Sequence, residues 1–459
     1  MSQETKDVLV KEITEGKEAR QMVPEMKKLA LVELSEILSS LDDQVVIDLM
    51  PEFSTEQQGL ILSEFDVKKQ LSLFQKSDAR WFAGGFQHMY SESRADLFQH
   101  MTQQEQASLL PFLPKKIRTD VIRLSAYPPE TAGGIMSTDF ATVWEDMTCQ
   151  QAIAKVRMDA PSKKMIYYVY VVDENMCLAG FITLKDLILI EPDTKVKDAL
   201  HKEYIFAHVD DDRENVAAKI EKYDLVAIPV LNNQGQLVGI VTHDEAIEVI
   251  RAEHTEDFEK FMGIMPDKEE VFYLQTSSWS HFKKRVIWVV SLAIIGIISG
   301  MIIHSFESTL DKLLILALYM PMVADTGGNA GSQAATVVVR ALALGQVSVR
   351  NWWRIIWKEA QISLLLAICL GVLAFGKVLF LSWEADIPEV YNLFQIASVI
   401  SLALSLQVIT ATIIGASLPL IVRRFKGDPA VAASPAITTV VDITGLLIYF
   451  GTAVAFLSL

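Results

Sequence analysis

Cysteine is scarce in this chain. Cys149, Cys177 and Cys369 are scattered over 459 residues and form no CxxC pair. That excludes a disulfide framework and fits a reducing compartment for the polar part of the chain. Histidine is sparse too, with 8 in all, and no HExxH occurs. His304 stands alone among the long apolar segments, near an end, so an intramembrane metalloprotease is excluded. Neither a P-loop nor a Rossmann glycine pattern is present. Basic residues are outnumbered, 41 against 57 acidic, for a net charge of −16. This argues against nucleic acid as a partner and suits cations as ligands, with ordinary solubility the plainer reading. The carboxylate surplus lies before residue 282. Beyond it, charge of either sign is rare and the apolar residues concentrate. The opening MSQETKDVLVKEITEGKEAR has no apolar core, so no cleavable signal peptide is expected.

What is present begins with a repeat. The tetrads LSSL (38–41), MPEF (50–53), LSEF (62–65), FQKS (74–77), FQHM (86–89), FQHM (98–101) and LPFL (110–113) start every 12 residues. Asp42, Ser54, Asp66, Asp78, Tyr90, Thr102 and Pro114 follow them, mostly good N-cap residues. Each unit therefore predicts about two helical turns and a new cap. Helices that short are stable only when stacked, so a superhelical array is expected, ending near Tyr127-Pro128-Pro129.

Residues 133–250 change character. Two strand-like runs, YYVYVV (167–172) and VAIPVL (226–231), each lead through a turn to a second strand ending at Thr183 or Thr242, then to a helix. The pattern resembles a tandem pair of CBS modules, which commonly bind adenine nucleotides or ions. The stretch Thr183-Leu-Lys-Asp186 matches the ribose and phosphate position of such modules, which makes ATP a candidate ligand. Carboxylates then gather at Asp210, Asp211 and Asp212 and again from Asp244 to Asp257. Along a helix continuing toward Phe261, Glu245, Glu248 and Glu256 share roughly one side. Oxygen ligands without Cys or His suit Mg²⁺ or Ca²⁺, and a solvated acidic face is the alternative.

Five apolar segments follow, near 284–304, 312–341, 360–382, 391–422 and 430–457. Lys283, Lys284 and Arg285, then Arg350, Arg354 and Lys358, then Arg423, Arg424 and Lys426 alternate with loops carrying Glu307, Asp311 and Lys312 and then Glu384, Asp386 and Glu389. The positive-inside rule puts the N-terminus in the cytoplasm and the C-terminus outside. The second segment reads as broken between Pro321 and Gln333, being too polar and glycine-rich for a helix facing lipid. Its Asn329, Ser332 and Gln333 are candidate oxygen donors to a hydrated ion, and close helix packing explains the glycines equally well. In the last segment Asp442 sits at membrane depth, where a charge costs roughly 2.5–3.5 kcal/mol on insertion scales. Ser434, Thr438 and Asp442 fall on one helical face. A cation pathway and a buried packing carboxylate are the two readings. Pro435 is expected to kink that helix.

TGGNAGSQAATVVVRALALG (326–345), DPAVAASPAITTVVDITGLLIYF (428–450) and HTEDF (254–258), in this order of domains, resemble the MgtE family of magnesium channels and transporters. The resemblance implies a multidomain chain. It has an α-helical superhelical domain (1–128), an α/β tandem CBS domain (129–250), a connecting plug helix (251–282) and a five-helix α transmembrane domain (283–459). It implies a Mg²⁺-selective channel or transporter in the cell membrane, a homodimer with a central pore, and no enzyme. Asp442 matches the pore carboxylate that holds hydrated Mg²⁺. Ser434 and Thr438 match pore-lining positions, and Asp428 a carboxylate at the cytoplasmic mouth. Asp212, Asp224, Glu245, Glu248, Glu253, Glu256 and Asp257 fall on regulatory Mg²⁺ positions, and Glu92 and Asp96 on acidic positions of the helical domain. Gating by cytosolic Mg²⁺ follows. The alternatives are a transporter of Co²⁺ or another divalent ion, and a membrane-anchored CBS sensor without transport.

Overall fold

The computed structural model describes residues 22–160, 163–266, 273, 276–384, 387, 388, 390–432 and 434–457. Asp386 and Glu389, and the N-terminal stretch read for a signal peptide, lie outside them. Two compact units divide the chain, the first ending at Arg251 and the second beginning at Ala252.

The first unit starts with short helices. After α1 (Val23–Met26) and α2 (Leu31–Ser40) come α3 (Asp43–Leu49), α4 (Thr55–Ser63), α5 (Val67–Lys76), α6 (Ala79–Phe86), α7 (Ser91–His100), α8 (Gln103–Leu109) and α9 (Lys115–Leu124). From α3 on, their N-caps are the residues that follow the tetrads: Asp42, Ser54, Asp66, Asp78, Tyr90, Thr102 and Pro114. The side chains of Asp42, Ser54, Asp66, Asp78 and Thr102 accept a backbone N–H of the first turn, worth about 1 kcal/mol each. Leu38, Met50, Phe53, Leu62, Phe65, Phe86, Met89, Phe98 and Met101 from the tetrads make one continuous core.

A second device repeats at the same spacing. Gln58 donates to the Phe53 carbonyl, Gln70 to those of Leu62 and Phe65, Arg94 to Gln87, Gln106 to Phe98 and Met101, and Arg118 to Leu113. Each side chain reaches back from one helix to carbonyls orphaned at the end of the last. Without that bond, a buried carbonyl costs about 1–3 kcal/mol.

Two three-stranded sheets follow. In the first, β1 (Phe140–Trp144) runs parallel to β2 (Met165–Val172), which pairs antiparallel with β3 (Leu178–Thr183). In the second, β4 (Ala207–His208) is parallel and β6 (Leu237–Thr242) antiparallel to β5 (Ala227–Leu231). α10 (Cys149–Asp159), α11 (Leu184–Leu189), α12 (Val196–Ala199) and α13 (Arg213–Lys222) fill the connections, and α14 (His243–Phe261) follows β6. The two hairpin turns interlock: Leu178 N–H bonds Gly235 O and Leu237 N–H bonds Met176 O. Met176 and Gly235 both take left-handed backbone, with φ 64° and 77°.

The second unit is helical: α15 (Ser278–Ser305), α16 (Glu307–Lys312), α17 (Ile315–Ala343), α18 (Trp352–Leu381), α19 (Leu393–Arg424) and α20 (Ser434–Leu457). Among the described residues, four stretches suffice by length and composition to cross a membrane: Ser278–Ser305, Val349–Leu381, Leu393–Arg424 and Ser434–Leu457. α17 is 29 residues long but carries the polar run. The expected break in it is absent. Pro321 lies inside one continuous helix, and Gly327, Gly328, Ala330 and Gly331 are buried against other helices instead of facing lipid. Packing of small residues outweighs their poor helix propensity. Pro435 likewise makes no kink, because α20 begins at Ser434 and a first-turn proline has no helical N–H bond to lose. α19 packs on α17, α18 and α20. Its Gly415 meets the Gly331 carbonyl of α17 so closely that a Cβ there would collide with backbone.

Candidate functional site

Helical spacing puts Ser434, Thr438 and Asp442 on one side of α20, and α17 supplies the facing groups. Ser434 Oγ donates to Ser332 Oγ at 3.0 Å, and Ser332 Oγ lies 3.3 Å from Thr438 Oγ1. Thr438 Oγ1 also donates to the Ser434 carbonyl at 3.1 Å. Asp325 of α17 is close enough to act electrostatically on Asp442, and Asn329 Nδ2 donates to Asp325 at 3.4 Å. Two carboxylates, three hydroxyls and an amide therefore line neighbouring turns of two helices. Asp442 is half-buried. Hard oxygen donors of this kind suit a cation that keeps its water, held through outer-shell hydrogen bonds.

Gln407 of α19, which sequence reasoning passed over, supports this face from behind. It is fully buried, and its Nε2 donates to the Val441 carbonyl at 2.8 Å, one residue before Asp442. Gly445 leaves the space its amide occupies. The signal was an amide midway along a membrane-type helix, where a buried polar group without a partner is costly.

At the end of α14, Lys260 Nζ binds Glu256 at 2.6 Å and Asp428 at 2.8 Å. Asp428 opens the turn Pro429–Val431, and its other oxygen accepts the Ala430 N–H. Burial and the Asp428 charge, against the pull of Lys260, raise the Asp257 carboxyl above its ordinary range. Burial disfavours the Lys260 ammonium, but Asp428 and Glu256 outweigh it and hold the group firmly protonated. Glu253 lies on the same helix.

The first unit holds a separate cluster. Lys164 Nζ bonds Glu92 at 2.9 Å and Asp244 at 2.8 Å, over the Tyr90 ring at 4.6 Å. Burial works against the Lys164 charge, and Glu92 and Asp244 reverse that effect. Burial first, then Glu92 and Glu248, push the Glu245 carboxyl up to about 8. Glu92 thus meets an ammonium. Asp96 is exposed and pairs with His100 at 3.4 Å. Asp212 caps α13, accepting the N–H groups of Glu214 and Asn215. Asp224 is exposed in a left-handed turn with φ 49°. Among the described residues, no three His, Cys, Asp or Glu side chains converge as metal ligands within one chain. In the CBS-like region, Asp186 Oδ2 accepts from Thr183 Oγ1 at 2.6 Å and lies 2.9 Å from His201 Nε2. A separate small cleft is lined by Tyr168, Tyr170, Phe181 and Tyr204, and Thr183, Asp186 and His201 are not part of its wall.

A family model described as a divalent cation transporter, MgtE, matches residues 320–452, which span most of α17, all of α18 and α19, and most of α20 with their polar face. The MgtE intracellular N domain model matches 29–130, and the CBS domain model matches 132–193 and 196–252. The magnesium transporter MgtE of Thermus thermophilus is 36% identical over 341 residues, 74% of this chain and 73% of that protein. This chain belongs to the MgtE family. The Bacillus subtilis magnesium transporter MgtE is also 36% identical, over 73% of this chain and 71% of its own length. The crystal structure of the soluble part of a magnesium transporter covers 55% of this chain and 98% of itself, at 29% identity and a TM-score of 0.50. A helical N-terminal domain, a CBS domain and a C-terminal region of apolar membrane helices are therefore the architecture of this MgtE protein. It is a membrane protein, and its MgtE relatives are named as transporters.

Proposed function

We propose that this protein carries Mg²⁺ across the cell membrane as a homodimer, and that Asp442 is the residue the ion passes. The observation that supports this most is the polar strip of Asp442, Thr438, Ser434 and Ser332 inside an otherwise apolar helix packing. Mg²⁺ sheds water reluctantly. One such strip from each of two copies would hold the hydrated ion by hydrogen bonds from its water to carboxylates and hydroxyls. Selection then follows from the size of the hydrated ion, and no chemical step is required of the protein. Asp428 stands at the cytoplasmic mouth in this reading, with the N-terminus inside and the C-terminus outside.

Regulation rests on the remaining carboxylates. Cytosolic Mg²⁺ bridges Asp212, Asp224, Glu245, Glu248, Glu253, Glu256 and Asp257 between domains and copies, with Glu92 and Asp96 contributing from the helical domain. Bound Mg²⁺ favours the closed pore; when it leaves, like charges repel and the open state gains population. The functional division is 1–128, 129–250, 251–282 and 283–459, with 251–282 as the plug. ATP is the candidate ligand of the Thr183–Asp186 stretch, and its ribose would displace the His201 contact on Asp186.

Flux into liposomes tests both parts at once. Asp442→Asn is expected to lower Mg²⁺ flux at least tenfold while inserting normally. Glu253→Gln, Glu256→Gln and Asp257→Asn together are expected to leave flux intact and weaken inhibition by Mg²⁺ on the cytoplasmic side. Undiminished flux in Asp442→Asn sinks the pore assignment. Unchanged inhibition in the triple variant sinks the gate, and Co²⁺ flux exceeding Mg²⁺ flux reassigns the cargo.

A further inference from the structure

Where α18 begins and α19 ends, a cleft of about 460 Å³ opens between the two helices. Its volume is within the range of small-ligand sites, about 300–1,000 Å³. Arg350, from the turn Val349–Asn351, and Arg424, the last residue of α19, both line it. Neither guanidinium has a hydrogen bond or ion pair among the described residues. The nearest acidic residues along the chain are otherwise placed: Asp428 is held by Lys260, and Glu359 is buried in α18. The remaining wall is apolar and aromatic: Trp352, Leu420, Ile421 and Phe425. Leu420 is buried, whereas Phe425 is 82% exposed and Trp352 50%.

That combination is specific in its chemistry. Two unpaired cations ask for an anion, ideally a phosphate that guanidinium groups grip in a fork. An apolar wall that continues up the outside of α19 asks for hydrocarbon. Tryptophan at the end of a membrane-type helix marks the headgroup level, and Trp353 and Trp357 are exposed beside it. A free phosphate would satisfy the arginines and leave Ile421 and Phe425 bare. One class of membrane molecule meets both demands: an anionic phospholipid, phosphate on the arginines and acyl chain along α19. Basic pockets between membrane helices are a known way to hold such headgroups.

We propose that the cleft between Arg350 and Arg424 is a binding site for an anionic phospholipid. It is separate from the polar strip at Asp442 and does not depend on which ion that strip carries. Native mass spectrometry of the full-length protein in detergent, with phosphatidylglycerol and phosphatidylcholine in competition, tests it without reference to flux. The intact protein is expected to retain phosphatidylglycerol in preference. Arg350→Ala with Arg424→Ala is expected to lower that retention roughly thirtyfold, at about fivefold per basic residue. The Arg350→Lys and Arg424→Lys pair should keep most of it. Equal retention of the two lipids by the intact protein overturns the proposal, whether or not the alanine variant folds. So does unaltered retention in a folded alanine variant. Displacement of the lipid by millimolar inorganic phosphate would make this an anion site and not a lipid site.

Discussion

Asp43 shows how much a single carboxylate can carry in the helical array. Lys69 Nζ lies 2.8 Å from it, Lys76 2.6 Å, and the Ser72 hydroxyl donates to it as well. Burial tends to raise its pKa, but Lys69, Lys76 and Ser72 reverse this and hold it well below the usual carboxylate range. A depressed carboxylate stabilises the fold above its unfolded pKa near 4, and that stabilisation disappears as pH falls through the folded value. The first unit should therefore be insensitive to this group at pH 7 and weaken below pH 4. Asp43→Asn should cost roughly 1–2 kcal/mol at pH 7, because the pair with Lys76 is open to solvent, and flatten the acid limb. Denaturant melts of both proteins from pH 7 to pH 3 measure the difference. At this scale the shared face of Asp442, Thr438 and Ser434 was legible, because one helix carries them at a period of 3.6. Their partners Ser332 and Asp325 lie more than a hundred residues away, and no local period links the two helices. Glu92 is a related case. Its charge was visible, but its engagement with Lys164 is tertiary.

At the scale of elements, the twelve-residue period was legible because apolar tetrads and caps repeat together, and each helix begins where its cap stands. The back-bonding Gln58, Gln70, Arg94, Gln106 and Arg118 share that period, yet mixed chemistry at one position hides it. The short parallel strands β1 and β4 escaped notice because two to five residues carry too little pattern. The unbroken α17 was misread because propensity was weighed without the packing of its small residues on α19. The paired turns of the CBS modules make a sharper case. Gly235 accepts left-handed backbone freely, but Met176 at the matching place bears the Cβ strain. Met176→Gly should raise stability by about 1 kcal/mol. A rise in the melting temperature of the first unit checks this, and a fall would show that the exposed thioether contributes more than the backbone loses.

At the scale of the whole molecule, the family architecture was legible almost end to end. Charge and hydropathy divide sharply near residue 282, and each part follows a period or spacing of its own. Less legible was the use of α15. No residue of this 28-residue helix is buried within one chain, so its apolar faces await lipid or a second copy. The lysine at the end of α14 bears on the whole assembly as well. Lys260 already holds Glu256, one of the proposed regulatory carboxylates, together with Asp428 from the turn before α20, so in the proposed gate an arriving divalent ion meets a competitor tethered to α14. A tethered group acts at an effective concentration in the millimolar range. In that reading the ion must outcompete the ammonium, which sets a floor under the concentration at which it engages Glu256 and Asp428. Lys260→Ala removes the competitor. If the pair is a competition, half-inhibition of flux in liposomes should move to lower Mg²⁺ by several-fold, and a move to higher Mg²⁺ would make the lysine a support instead. If flux is gated by Mg²⁺ as proposed, its threshold is tuned by a side chain that never binds the ion.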